Sequence, residues 1–407
     1  MMVSQSSTKL KAIRIVFGIN ILGLMFLGLT ITADVFRFDL PGFRIHTLQI
    51  HYFSESSNIP FQPESLHPVT ILNITETTIF IHDQYRNRTR GTIRNVAFLK
   101  VHKAGSTTMQ NLFFRFGIRH NLNVLLPKKG NYMFNMRQAI PIKPPHTYNL
   151  FACHTRYSKP FFDSLIPTGS VNIGIVREPI DRMISAAYYY RDVWGVPYLK
   201  KIPQANFIHN LIGQQYRYDT SFYSRTRNSM GNDFGFQKGI KSSETKKIQS
   251  YLESLNSDFL LVMVVEKFDE SLVMMKRLLS WSFLDIIYLK TNSHQHKPVV
   301  LNKDEEDNVR KVNFLDFAIY EYFTEIFDKK LQSMEDDFDG EVTFFREILS
   351  KVFTFCSDKN VKDDTKLFIN ESRWDDEFNV LGVECRWMNT GELSFINDLR
   401  SKGHLNR

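Results

Sequence analysis

Hydrophobic and polar positions along the chain fall into three regimes. The first is a single run, IVFGINILGLMFLGLTI from Ile15 to Ile31, in which Asn20 is the only strongly polar side chain. With Ala12, Ile13 and the flanks it reaches about 20 residues, the length that crosses a ~30 Å hydrocarbon layer as a helix. Lys9, Lys11 and Arg14 lie around its start and Asp34 just after its end. The positive-inside bias therefore puts the N-terminus in the cytoplasm and everything after residue 33 on the other side. A cleaved signal peptide is the competing expectation, but Thr30-Ile31-Thr32-Ala33 is a poor cleavage site and the apolar run is long for one.

The second regime, residues 34–92, mixes polarity, carries Pro41, Pro60, Pro63 and Pro68, and shows no sustained period of 3.6. It reads as a stem. The third begins at Arg94 and repeats one grammar three times. Asn95-Val96-Ala97-Phe98-Leu99 is a buried-strand run, followed by a Gly/Ser/Thr loop and a helix with Met109, Leu112, Phe113 and Phe116 on one face. The strand candidate Val171-Asn172-Ile173-Gly174-Ile175-Val176 meets a turn at Arg177-Glu178-Pro179, with Pro179 in its favoured place at a helix start. The helix after it buries Ile180, Met183, Ile184, Ala187 and Tyr188. Phe259 to Val265 is the third strand, and its helix carries Phe268, Leu272, Met275 and Leu279. Continuous apolar strands alternating with amphipathic helices predict an α/β domain with a central parallel sheet covered on both faces.

Composition changes this picture little. A chain of 407 residues with 43% apolar content can fill a large core, and 35 phenylalanines fit a bulky interior. The formal charge of +8 suits an anionic ligand. With no Lys/Arg-rich tract and no zinc-like Cys/His spacing, nucleic acid is a poor partner. Cys153 stands alone, while Cys356 and Cys385 lie close enough in sequence to pair. Sequons at Asn73, Asn87 and Asn370 agree with exposure to a lumenal compartment.

The chemistry concentrates in two turns. In the first, His102-Lys103-Ala104-Gly105-Ser106-Thr107-Thr108 leads from a strand into a helix, placing free amides and a positive dipole end at one point. Gly105 admits close approach of an anion, Ser106, Thr107 and Thr108 add hydroxyls, and Lys103 adds a compact charge. The Gly-then-Lys order of a nucleoside-triphosphatase loop is absent. In the second turn, Arg177 ends a strand and Ser185 follows two helical turns later, a fork and a hydroxyl suited to another phosphate. Two such turns side by side fit a nucleotide with anions at both its 3′ and 5′ ends, 3′-phosphoadenosine-5′-phosphosulfate.

Leu99-Lys100-Val101-His102-Lys103-Ala104-Gly105-Ser106-Thr107-Thr108 resembles the 5′-phosphosulfate loop of Golgi carbohydrate sulfotransferases, and Ile175 to Ser185 resembles their 3′-phosphate loop. The His102-Lys103 pair narrows the resemblance to the galactose-3-O-sulfotransferase family, the galactosylceramide sulfotransferase-like enzymes. Cys153-His154-Thr155-Arg156-Tyr157, Arg227-Asn228-Ser229-Met230 and Val265 to Leu272 are similar to further family segments, in order, from about Asn95 to about Phe327. Ala104-Gly105 departs from the family toward the loop of heparan-type enzymes.

The resemblance implies a three-layer P-loop-like sulfotransferase fold and a division into a cytoplasmic tail (1–11), a transmembrane signal anchor (12–33), a lumenal stem (34–92) and a lumenal catalytic domain (93–407). It implies sulfuryl transfer from 3′-phosphoadenosine-5′-phosphosulfate, without a metal, to a galactose hydroxyl, O3 by the narrower resemblance, in a glycolipid or glycan. It also implies a type II place in the Golgi membrane and leaves room for a homodimer. Lys103 is expected on the leaving-group side, the amides and hydroxyls of residues 104–108 around the phosphosulfate, and Arg177 and Ser185 on the 3′ phosphate. His154 is the first candidate for proton removal, by resemblance to uronyl-type enzymes, and His102 its competitor. Glu266 is expected to cap the helix after it rather than touch the sugar. Heparan/uronyl-type sulfation of another hydroxyl, and a non-catalytic lumenal glycan-binding protein on the same fold, are the alternatives. A glycosyltransferase is less well matched, because the Asp363-Asp364 and Asp375-Asp376 pairs lack an Asp-x-Asp spacing.

Overall fold

The structure, a computed structural model, describes residues 29–40, 43–54, 91–167, 169–219, 224–290 and 298–402. The chain divides into two compact units, Met1–Asp83 and Gln84–Arg407.

In the first unit, strands β1 (Leu29–Leu40) and β2 (Phe43–Ser54) form an antiparallel hairpin whose register runs from Leu40 opposite Phe43 to Leu29 opposite Ser54. Residues 34–40 and 43–54, expected as part of the stem, are therefore strand. The cause is legible in hindsight: Phe36-Arg37-Phe38-Asp39-Leu40 and Phe43-Arg44-Ile45-His46 alternate apolar and polar with period two, the strand period. Of the span expected to cross a membrane, 12–33, the last five positions belong to β1 and the rest lies outside the described residues. Among the described residues no helix is long and apolar enough to cross a membrane.

The second unit is built on five parallel strands: β3 (Val96–Phe98), β4 (Val124–Leu125), β5 (Leu150–Phe151), β6 (Val171–Val176) and β7 (Leu261–Val264). Their order across the sheet is β4-β5-β3-β6-β7. The strands are buried almost throughout, as parallel strands covered on both faces must be. Helix α1 (Ser106–Arg119) follows β3 and buries Met109, Leu112, Phe113 and Phe116, the stripe its spacing predicts. Helix α2 (Pro179–Asp192) follows β6 with Pro179 at its start and Glu178 as N-cap, accepting from the Asp181 amide at 2.7 Å. Helix α3 (Thr245–Asp258) leads into β7, and α4 (Phe268–Leu279) leaves it with Leu272, Met275 and Leu279 fully buried. The third strand is shorter than its apolar run because the Phe259 amide still bonds back into α3, at Leu255 O.

Helices α5 (Phe314–Gln332) and α6 (Phe338–Ser357) close the core. The tail after Ser350, which matched no pattern, is ordered: a hairpin of β8 (Lys366–Ile369) and β9 (Phe378–Leu381), a short helix Gly382–Met388, and α7 (Glu392–Lys402). A Cys356–Cys385 disulfide ties α6 to that short helix. Helix α7 packs by burying Phe395, Ile396 and Leu399, with the Phe395 ring edge-on to Phe114 of α1 at 5.6 Å.

Candidate active site

In a parallel sheet, ligands bind beyond the carboxyl ends of the strands, where the connections diverge to opposite sides. Here that point is β3, flanked by β5 on one side and β6 on the other. The segments leaving these ends are 99–108, 152–155 and 177–178, and every candidate site residue except Ser185 and the three sequon asparagines lies on them. Ser185 is half-buried, two turns into α2. Asn370 is exposed directly after β8, and Asn73 and Asn87 lie outside the described residues.

The first turn is held in an unusual backbone path. Lys103 (φ 62°) and Gly105 (φ 66°) both take left-handed conformations, which cost a residue with a Cβ roughly 1–2 kcal/mol. Glycine meets that demand at 105; at 103 a lysine is held there against its preference. Two bonds fix the path: the His102 amide donates to Asp233 Oδ2 at 2.8 Å, and Ser106 Oγ to the Val101 carbonyl at 2.5 Å. Helix α1 then starts at Ser106 with no side-chain cap, which leaves its first-turn amides to an anion.

An internal carboxylate shows that the turn accepts one. Glu392, at the start of α7, accepts from the fully buried Lys100 Nζ at 3.1 Å and from Thr107 Oγ1 at 3.0 Å through one oxygen. Its other oxygen accepts from Asn131 Nδ2 and lies 4.0 Å from His154 Nε2. Burial pushes this carboxyl up, but Lys100 and the three donors win and hold it below the usual carboxylate range. Burial also pulls the Lys100 ammonium down despite Glu392. The bonds Glu392 takes are those a phosphosulfate oxygen would take, so the donor set fits that group.

Lys103 Nζ stands 3.7 Å over the Tyr189 ring of α2. Burial, with the Arg177 and Lys100 charges, lowers its pKa to about 8. Arg177 Nη1 donates to the Lys103 carbonyl at 3.2 Å, so the second turn grips the backbone of the first. Glu266 does not cap α4 as expected: its carboxylate accepts from the Glu178 amide at 2.9 Å, tying the β7 turn to the β6 turn, while α4 has no side-chain cap.

The two histidines stack, ring centroids 4.1 Å apart. His154 Nδ1 lies 3.1 Å from the Lys100 carbonyl. A carbonyl only accepts, so Nδ1 carries the proton and Nε2 the lone pair. Burial, then the neighbouring His102 and Lys100, holds the His154 pKa well below 6.5, so the ring is neutral. His102 differs. Its Nδ1 lies 2.9 Å from both oxygens of buried Asp233 and its Nε2 3.1 Å from the Tyr132 hydroxyl. Lys100, Tyr132, Asp233 and Glu392 were not singled out in the sequence. Lys100 lay within the first motif and Asp233 just beyond Arg227-Asn228-Ser229-Met230; Glu392, in the tail, had no local signal. Among the described residues no group of three or more His, Cys, Asp or Glu side chains could hold a metal ion.

The chain is similar to known proteins. A family model described as galactose-3-O-sulfotransferase matches residues 46–375. Galactosylceramide sulfotransferase of Homo sapiens is 27% identical over 332 residues, 75% of this chain and 78% of that protein. Galactose-3-O-sulfotransferase 3 of Bos taurus is 32% identical over 254 residues, 58% of each chain. Galactose-3-O-sulfotransferase 2 of Mus musculus is 25% identical over 283 residues, 65% of this chain and 70% of that protein.

Proposed function

The chain belongs to the galactose-3-O-sulfotransferase family and is a carbohydrate sulfotransferase, and on that premise we propose that it takes its sulfuryl group from 3′-phosphoadenosine-5′-phosphosulfate and delivers it to O3 of a β-galactoside on a glycolipid or glycan. The observation that carries this reading is the coupling of two anion-suited turns at the ends of adjacent strands, through Arg177 and the Lys103 carbonyl 3.2 Å away.

The donor supplies a sulfuryl group on a good leaving phosphate. The chain's residues align it, neutralise charge and remove a proton. The 5′ end falls to the α1 amides, Gly105, Ser106, Thr107, Thr108 and Lys100, which exchanges Glu392 for the incoming anion. Lys103 meets the charge that develops on the departing oxygen. Arg177 and Ser185 take the 3′ phosphate.

For proton removal the choice passes from His154 to His102. An imidazole that accepts a proton must be stabilised as imidazolium, and Asp233 at 2.9 Å does this for His102. Its Nε2 already faces a hydroxyl, that of Tyr132. His154 is held neutral against a carbonyl and the neighbouring charges disfavour its protonation, so its role is to fix the His102 ring by stacking. We further propose a type II place in the Golgi membrane with the catalytic unit lumenal. The uniform apolar run Ile15 to Ile31, the Cys356–Cys385 disulfide and the exposed Asn370 sequon support it.

The test is sulfate transfer from the labelled donor to a panel of β-galactosides, with the product linkage determined. Transfer to O3, lost in His102→Gln and kept within tenfold in His154→Gln, is expected. Transfer to another hydroxyl overturns the regiochemistry, and turnover lost in His154→Gln but kept in His102→Gln overturns the assignment of the base.

A further inference from the structure

The His102 ring is less open than a free base would be. Its Nδ1 faces the Asp233 carboxylate, which only accepts, so the neutral ring carries its proton there and its lone pair on Nε2. That lone pair is already taken: the Tyr132 hydroxyl donates to it at 3.1 Å. One face of the ring is covered as well, by the His154 ring with centroids 4.1 Å apart. An acceptor hydroxyl therefore reaches Nε2 either by displacing Tyr132 or through it.

Tyr132 is held where it stands. Its ring stacks on His154 with centroids 4.9 Å apart. Its backbone is pinned to the end of β5, the His154 amide donating to Asn131 O and the Met133 amide to His154 O, both at 2.9 Å. Arg225 donates to the same hydroxyl oxygen. That arginine is itself set: its guanidinium lies 4.9 Å over the Tyr190 ring, and its carbonyl accepts from the fully buried Arg182 at 3.4 Å. Burial raises the Tyr132 pKa and the Arg225 charge pulls it back. A phenol that passes a proton needs both: it stays protonated at rest, and a cation meets the charge that builds on its oxygen in transit. His102, Tyr132 and Arg225 are all half-buried rather than sealed in the core.

We propose that Tyr132 is a further catalytic residue, a relay that carries the acceptor's proton to His102. The acceptor O–H bond breaks with its proton going to Tyr132 Oη, while the Tyr132 proton passes to His102 Nε2. In the same step the acceptor oxygen bonds to sulfur, and the bond from sulfur to the donor phosphate breaks, its electron pair leaving on the bisphosphate. Tyr132 ends as a neutral phenol, and the His102 imidazolium, stabilised by Asp233, gives its proton to water. Arg225 is a positioning residue that acts through the phenol oxygen. The inference rests on the proposed sulfuryl transfer with His102 as the base.

Tyr132→Phe tests it, since it keeps the ring and its stack on His154 but removes the oxygen. In single turnover on a soluble β-galactoside it should be about 100-fold or more slower, with adenosine 3′,5′-bisphosphate affinity within about threefold. The parent's rate in mixtures of light and heavy water should bow, the mark of two protons in flight, and the residual Tyr132→Phe rate should follow a straight line. Arg225→Gln should cost about tenfold in the parent and nothing further in Tyr132→Phe, a non-additivity that a merely structural role would not give. A Tyr132→Phe rate within about fivefold of the parent, or a straight line for the parent, overturns the relay and leaves the sulfuryl transfer standing. A fall in bisphosphate affinity that matches the fall in rate overturns it too, because that marks a general disturbance of the site. A parent that binds the bisphosphate and sulfates no β-galactoside overturns the functional reading and the relay with it.

Discussion

The two strand-to-helix turns at the centre of the sheet share a topology and differ in almost everything else. The turn after β6 is built from local rules: Pro179 presets the first helical φ, Glu178 caps, and Arg177 reaches across to a carbonyl. The turn after β3 breaks local rules. A lysine is held left-handed, a second lysine is fully buried, and its countercharge comes from Glu392, far along the chain. Strain and buried charge of this kind persist only where surrounding structure over-determines them. The contrast teaches which turn is committed to chemistry and which to grip.

The largest test of that contrast removes one cation from each. Lys103→Ala should lower turnover by about 10³-fold or more at saturating donor, since its charge is needed most in the transition state. Arg177→Ala should instead weaken adenosine 3′,5′-bisphosphate binding by roughly 10–100-fold and leave turnover at saturating donor within tenfold. Equal effects on turnover would erase the distinction.

Next comes Asp233→Asn, which keeps the shape but removes the charge that stabilises an imidazolium at His102. A loss of about 10²-fold in turnover with unchanged bisphosphate affinity is expected from steady-state kinetics and calorimetry.

Glu392→Ala should cost about 3 kcal/mol or more in denaturant unfolding, because it leaves Lys100 buried and unpaired. Lys100→Met combined with Glu392→Leu should recover most of it. No comparable stability loss is expected from Arg177→Ala, whose side chain is only half-buried.

The smallest effects are in pH. Lys103 holds its proton only to about pH 8, so bisphosphate affinity should weaken as pH rises through 8, and Lys103→Ala should flatten that profile. His154 lies below its unfolded pKa near 6.5. Under 6.5 the unfolded chain therefore binds the proton first, and stability falls as pH falls from there. His154→Gln should remove that part of the acid sensitivity.

Much of this was legible in the chain. Leu99 to Thr108 and Ile175 to Ser185 announce two anion-suited turns, and the periods of α1, α2 and α4 are plain because amphipathic stripes are local. The strands at 29–40 and 43–54 carry a period-two alternation in the sequence, but the apolar run before it overshadows that signal. Nearness in sequence favours Glu266 as a cap, whereas the fold offers it the Glu178 amide of the neighbouring strand turn.

The sequence by itself determined β3, β6 and β7, the helices α1, α2 and α4 that follow them and the two turns between, since periodicity, Gly, Pro and hydroxyl residues act within a few positions of themselves. Only the tertiary structure decided which histidine has a carboxylate at 2.9 Å and that Glu392 answers Lys100. Burial makes an unpaired charge costly, and burial is a property of the folded whole, carried by contacts between residues that no local pattern connects.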